Sequence, residues 1–164
     1  MNNELAIVGK ASPNDATGDI EFYLPEYRNM LQNQGKFVYA WSFNPNDKAI
    51  NTIREYLNDN KNVFIYLPYD GSHSNLRMHV IDFHHDQKVV VSSCPPKWQS
   101  YCFKDYVKEL QALQAKENKK FHLWFLIDTI EKLDPPVDLK NTYTPIFPDK
   151  YKEWGQNFFA FLSP

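Results

Sequence analysis

Five aromatic residues, Trp41, Phe43, Tyr66, Tyr69 and Trp98, fall at the ends of apolar segments or in the loops beside them. Rings in such places can stack on a flat ligand, and a nucleobase is the first flat ligand to consider. Leaving its own stack costs a base a few kcal/mol, and stacking on an aromatic plane returns roughly 1–3 kcal/mol. Ser42, Asn44 and Asp82 are the polar side chains near these rings that could read a base edge. Lys97, Lys104 and Lys108 flank the Trp98 loop, and ammonium groups beside aromatic rings contact the phosphates next to a held base. The competing reading makes Trp41 and Tyr66 core, Trp98 a loop anchor and the lysines a solvated face. Aromatic side chains are the largest contributors to cores, so the residues alone leave both readings open.

Other chemistries find less support. His79, His84 and His85 lie near Asp82 and Asp86. On a strand, His79 and Asp82 face opposite ways, and six residues, about 20 Å of strand, separate His79 from His85. These histidines read as solvated hairpin tips, and no metal site is expected. Cys94 precedes two prolines, in no helix N-terminal position that would activate a thiol, and Cys102 lies eight positions on. No nucleophile elbow and no Gly-rich phosphate loop occurs. The expectation is therefore no catalytic residue, no cofactor and binding without chemistry.

A chain of 164 residues is large enough to bury one core. The formal net charge of −2 is unlike that of a protein gripping a long run of phosphates, so any nucleic-acid contact must be local. There is no run of apolar residues long enough to span a membrane and no signal peptide, which places the chain in the cytoplasm with reduced thiols.

The elements that must position these residues follow from pattern. Phe37–Phe43 reads as an aromatic strand, and Asn44-Pro-Asn-Asp47 stops it and caps a helix of about Asp47 to Leu57, with Ile50, Ile53 and Leu57 on one face. Val63–Leu67 and Leu76–His85 read as strands, the latter turning at Asp86-Gln87 into a hairpin with Lys88–Ser92. Phe103, Val107, Leu110 and Leu113 mark a second amphipathic helix. Phe121–Ile130, apolar on both faces, should be the central strand, ended by Asp134-Pro-Pro136, and Asn157–Leu162 a closing strand. In residues 1–36, Leu5–Val8 and Ile20–Leu24 suggest short edge strands and Glu26–Leu31 one helical turn, making the segment an N-terminal extension or edge. The fold class is α+β: a small mixed β-barrel with two or three helices packed around it.

The run Phe37-Val-Tyr-Ala-Trp-Ser-Phe-Asn-Pro-Asn-Asp47, the helix with Ile50 and Ile53, and Val63-Phe-Ile-Tyr66 resemble the opening of the PUA-like superfamily, in particular its EVE and YTH branches. Phe121–Pro136 and Asn157–Phe161 are similar to its later strands. The resemblance covers roughly residues 37 to 163 in patches of hydrophobic pattern, which delimits a PUA-like domain of 37–164. It implies a reader that flips a methylated base of DNA or RNA into an aromatic cage, as in the recognition modules of modification-dependent restriction systems. Carried over, Trp41, Ser42, Asn44 and Tyr66 would line the pocket and Trp98 would be a second wall. No Trp follows the first helix, where YTH readers place a wall, and Tyr66 or Tyr69 would substitute.

The resulting expectation is a nucleic-acid-binding module, DNA favoured over RNA, with any cutting or motor activity in a fused or partner subunit. Two alternatives stand beside it. An ASCH-like hydrolase of small modified nucleosides would need a Lys/Thr/Glu constellation, for which Lys48, Thr52 and Glu55 are the candidates. A protein-interaction domain would have the same aromatics filling an ordinary core.

Overall fold

The computed structural model describes residues 4–9, 20–41, 45, 47–68, 73–86, 94–102, 122–145 and 160–163. Its strands are β1 (Glu4–Val8), β2 (Phe37–Trp41), β3 (Asn62–Tyr66), β4 (His73–His85), β5 (Leu123–Asp138), β6 (Thr144–Pro145) and β7 (Ala160–Ser163). Helices are α1 (Ile20–Gln34), α2 (Asp47–Asn58) and the single turn α3 (Leu139–Thr142), with a 3-10 turn at Pro96–Tyr101. The strands form one mixed sheet in the order β2-β5-β4-β3-β1-β7-β6. Among the described residues only β1 and β3 pair in parallel, and the connection between them includes α1, β2 and α2.

The expected α+β class is present, but the expected barrel closure is not. Among the described residues β2 and β6 end the sheet, and no ladder joins them. The reason lies in what covers the apolar faces. Leu5 and Ile7 of β1, Val63 and Ile65 of β3, and Leu76, Met78 and Val80 of β4 alternate onto one face. There they pack with Ile50 and Ile53 of α2, Tyr27 of α1 and Trp98 of the 3-10 turn. Helices thus take the place that an opposing sheet wall would fill in a barrel. The intervening residues Ala6, Val8, Phe64 and Tyr66 form a second, smaller core with Leu139 and Tyr143.

Residues 4–8 and 20–34 belong to this body and are not an edge or extension. β1 lies inside the sheet between β3 and β7, and Leu5 is fully buried. Ile20–Leu24, expected as a strand, opens α1 instead. Its Tyr27 ring stacks on Phe37 at 4.4 Å between centroids, so tertiary contact decides the segment where local propensity did not. Gly35, at φ +77, ends α1 with its N–H donating to the Leu31 carbonyl at 2.9 Å, a left-handed stop that suits glycine.

β5 is the longest strand and is buried on both faces over Leu123–Ile127, but it is not central: it lies second in the order, between β2 and β4. It does not end at Asp134-Pro-Pro136. Lys132 pairs with Leu76 and Val137 with Ser74, so Leu133–Pro136 bulge out of the ladder. Proline has no N–H to donate, and a bulge requires none. The expected strand at 88–92, the helix at 103–113 and residues 157–159 of the expected closing strand lie outside the described residues, while 160–162 of that strand belong to β7. No helix among the described residues is long and apolar enough to cross a membrane.

Candidate functional site

α2 is held against the sheet by Ala49, Ile50 and Ile53, all buried, each large aliphatic contributing on the order of 1.5–3 kcal/mol. Its C-terminus is fixed by Asn60 at φ 56. The Asn60 N–H donates to the Leu57 carbonyl and the Lys61 N–H to the Tyr56 carbonyl, at 3.1 and 2.9 Å, a Schellman-type end with asparagine in the left-handed position. These two anchors set the flank of the helix, Arg54, Leu57 and Asn58, against the far end of β4.

Between them lies a cleft of about 330 Å³ lined by Arg54, Leu57, Asn58 and the consecutive residues Asp82, Phe83, His84 and His85. The β4–β5 register shifts between Val80 and Asp82, and a bulge of this kind changes the alternation, so that beyond it Phe83 packs against the main core and Asp82 is exposed. Arg54 holds its guanidinium carbon 5.6 Å from the Phe83 ring centroid, and its Nη1 donates to Asn51 Oδ1 at 3.1 Å. Asp82 is exposed and accepts the Phe83 N–H through Oδ1 at 2.8 Å. His84 Nε2 is 2.8 Å from Asp86 Oδ1, and the ring meets Trp98 edge-on at 6.4 Å.

His85 titrates below the ordinary histidine range. Burial is the main cause, and the neighbouring His122 adds to it. His122 is itself fixed by its Nδ1, 2.7 Å from the Asp86 carbonyl. Neutral imidazole and carboxylate acceptors therefore share the cleft with one guanidinium, an aromatic face and an aliphatic wall. That combination can hold a planar polar ligand and one adjoining negative charge.

The expected base-binding residues do not share this place. Asp82 lines the cleft. Trp98 stands behind it, only 4% exposed, as a core residue whose indole supports His84. Lys97 is exposed and lies over the Trp98 ring at 4.8 Å, on the same side of the molecule. Tyr66 is 1% exposed and on the opposite face of the sheet. Its hydroxyl meets that of Tyr143 at 2.7 Å, and Tyr143 donates in turn to Glu4. Burial raises the pKa of both phenols. Tyr66 and Trp98 are thus packed within the protein, and Tyr66, Asp82 and Trp98 do not form a common cage. Alternation explains the split, since Tyr66 follows the core-facing Ile65 and must point to the other face. The Trp41 side chain, with Ser42, Asn44, Tyr69, Lys104 and Lys108, lies outside the described residues; the Trp41 backbone pairs with Leu123 at the end of β2.

Arg54 and Phe83 are singled out by no sequence pattern named above, and His84 and His85 are read there only as hairpin tips. The histidines, expected as solvated tips, are only partly exposed. One signal was available: Arg54, Leu57 and Asn58 share a helix face at i, i+3 and i+4, beside the buried stripe. His79, far from the cleft, pairs through Nδ1 with Asp128 at 2.7 Å. No three metal-ligating side chains gather among the described residues. Lys48, Thr52 and Glu55 line no part of the cleft, and the Thr52 hydroxyl donates to the Lys48 carbonyl of its own helix at 2.8 Å. Comparison with protein-family models, curated proteins and solved structures finds no match to this chain.

Proposed function

We propose that the chain is a nucleic-acid-binding module that takes a single unstacked, modified base into the cleft between α2 and β4. The convergence of the Arg54 guanidinium, the Phe83 ring and the Asp82 carboxylate on one cleft carries this reading. At about 330 Å³ the cleft is at the small end of ligand sites, which suits one base with its sugar and not a longer segment. Phe83 offers the stacking face. Asp82, an acceptor, suits a base edge bearing an amino donor. Arg54, now over the ring, would turn to the adjoining phosphate as the base takes its place, and Lys97 would meet the next phosphate along.

The resemblance of residues 37–163 to EVE and YTH readers favours a methylated base, with DNA preferred to RNA. It also favours a role as the recognition part of a modification-dependent restriction system. The chain would bind without chemistry, and cleavage would belong to a fused or partner subunit. A close-fitting site distinguishes a methyl group by only about 1–3 kcal/mol, so selectivity of this size is what the module should supply.

The test is a fluorescence titration at fixed salt with matched DNA and RNA oligonucleotides, unmodified or carrying methylated adenine or methylated cytosine. Tighter binding of one modified strand, lost in Phe83→Leu, is expected. Curves blind to modification would reject the modified-base reading, and binding unaffected by Phe83→Leu would reject the cleft as its site.

A further inference from the structure

The two cysteines form a second chemical site, independent of any ligand in the cleft. Cys94 Sγ and Cys102 Sγ lie 2.7 Å apart, and both are free thiols. Closing to the ~2.05 Å of a disulfide bond asks for a shift smaller than about 1 Å. The intervening chain is already shaped for it. Pro95 and Pro96 restrict the backbone at the start of the 3-10 turn. The Trp98 N–H donates to the Pro95 carbonyl at 2.9 Å, and the Cys102 N–H to the Gln99 carbonyl at 3.2 Å. Cys102 Sγ also approaches the Trp98 carbonyl, at 3.8 Å. The turn thus brings the two sulfurs back to each other across a short, hydrogen-bonded loop.

We propose that Cys94 and Cys102 are a reversible dithiol–disulfide modification site, oxidised by a low-molecular-weight disulfide such as glutathione disulfide, that locks the turn carrying Trp98. Cys94 is buried, at 2% exposure, and Cys102 is partly exposed, so the reagent meets Cys102. The Cys102 thiol loses its proton to solvent as its sulfur attacks one sulfur of the reagent; the S–S bond of the reagent breaks, and one thiolate leaves and takes up a proton. Cys94 then attacks Cys102 Sγ, the mixed disulfide breaks, and the second thiol departs. Two protein thiols are oxidised to one disulfide, one reagent disulfide is reduced to two thiols, and the two protons leave with them. The hydrogen bond from Cys102 lowers the pKa of Cys94 and raises that of Cys102.

The full chain, native and reduced, is incubated with glutathione disulfide, then treated with a maleimide and weighed by intact mass spectrometry. The expected product is two hydrogens lighter, takes no maleimide, yields one peptide pair joining Cys94 to Cys102, and returns to the dithiol with dithiothreitol. Cys94→Ser should stop at a stable glutathione adduct on Cys102. A wild-type chain that keeps glutathione adducts, links to a second chain, or still takes two maleimides overturns the proposal. The wild-type result decides by itself should a variant fail to fold.

Discussion

Arg54 of α2 and Phe83 of β4 face each other across the cleft, guanidinium carbon to ring centroid 5.6 Å. An exposed cation–π contact contributes about 0.5–1 kcal/mol, less than the burial of either Ile50 or Ile53. Helix position therefore does not depend on this pair, and the arginine is free to change partner when a ligand arrives. Arg54→Ala should leave stability within about 0.5 kcal/mol of wild type. It should weaken oligonucleotide binding at low salt and reduce the slope of log affinity against log salt by about one. Titrations over a salt series measure this, and an unchanged slope would remove Arg54 from the phosphate role.

Phe83 separates stacking from packing. Its ring lies partly buried against the main core, so Phe83→Ala would open a void and confuse two effects. Phe83→Leu keeps most of the apolar volume and loses the plane. A substitution of this kind typically costs under about 1.5 kcal/mol of stability. Loss of a stacking face costs roughly 1–3 kcal/mol of binding, or on the order of a 5- to 150-fold weaker complex. Chemical denaturation paired with titration distinguishes the two. A large loss of stability with unchanged affinity would make Phe83 a core residue only.

Tyr66 gives the opposite expectation. Its hydroxyl is buried against Tyr143, on the sheet face away from the cleft. Tyr66→Phe removes one buried hydrogen bond and should cost about 1–3 kcal/mol, with oligonucleotide affinity unchanged. Urea midpoints and titrations of the same preparation provide the check. Weakened binding in a variant of wild-type stability would return Tyr66 to the base site.

Most of the sheet was legible from the chain because its signals are local. The continuous apolar runs Val63–Leu67 and Leu123–Ile127, the alternation in Leu76–Val80 and the helical spacing of Ile50 and Ile53 each specify an element. β1 was legible as a strand but not in its place inside the sheet, and of α1 only the turn Glu26–Leu31 was legible, for the converse reason. Five residues of strand carry little pattern, and Ile20–Gln34, with Pro25 inside it, owes its helix to packing of Tyr27 on Phe37. The cleft was hidden by two register effects. A bulge near Val80 shifts the alternation of β4, so that Phe83 and not Asp82 packs against the main core, and the pairing of β4 with β5 decides which residues reach Arg54. Neither is written in residue types, whereas Asp82, as a polar residue beside aromatics, could be picked out from sequence.

His85 predicts how stability responds to acid. An unperturbed histidine in the unfolded chain takes up its proton near pH 6.5, whereas His85 in the folded protein resists protonation to lower pH. Burial is the main cause, with His122 and Arg54 adding to it and Asp86 and Asp47 opposing it. Between the folded pKa and about 6.5 the unfolded state binds more protons, so stability rises with pH there. The contribution of His85 is complete above about pH 6.5 and is lost as pH falls through the folded value. Urea midpoints at pH 7.5 and at pH 5.0 should therefore fall on acidification in the wild type. The fall should be smaller in His85→Gln, which cannot titrate. Equal falls in the two proteins would show that His85 is not the buried neutral group and that the acid response arises elsewhere.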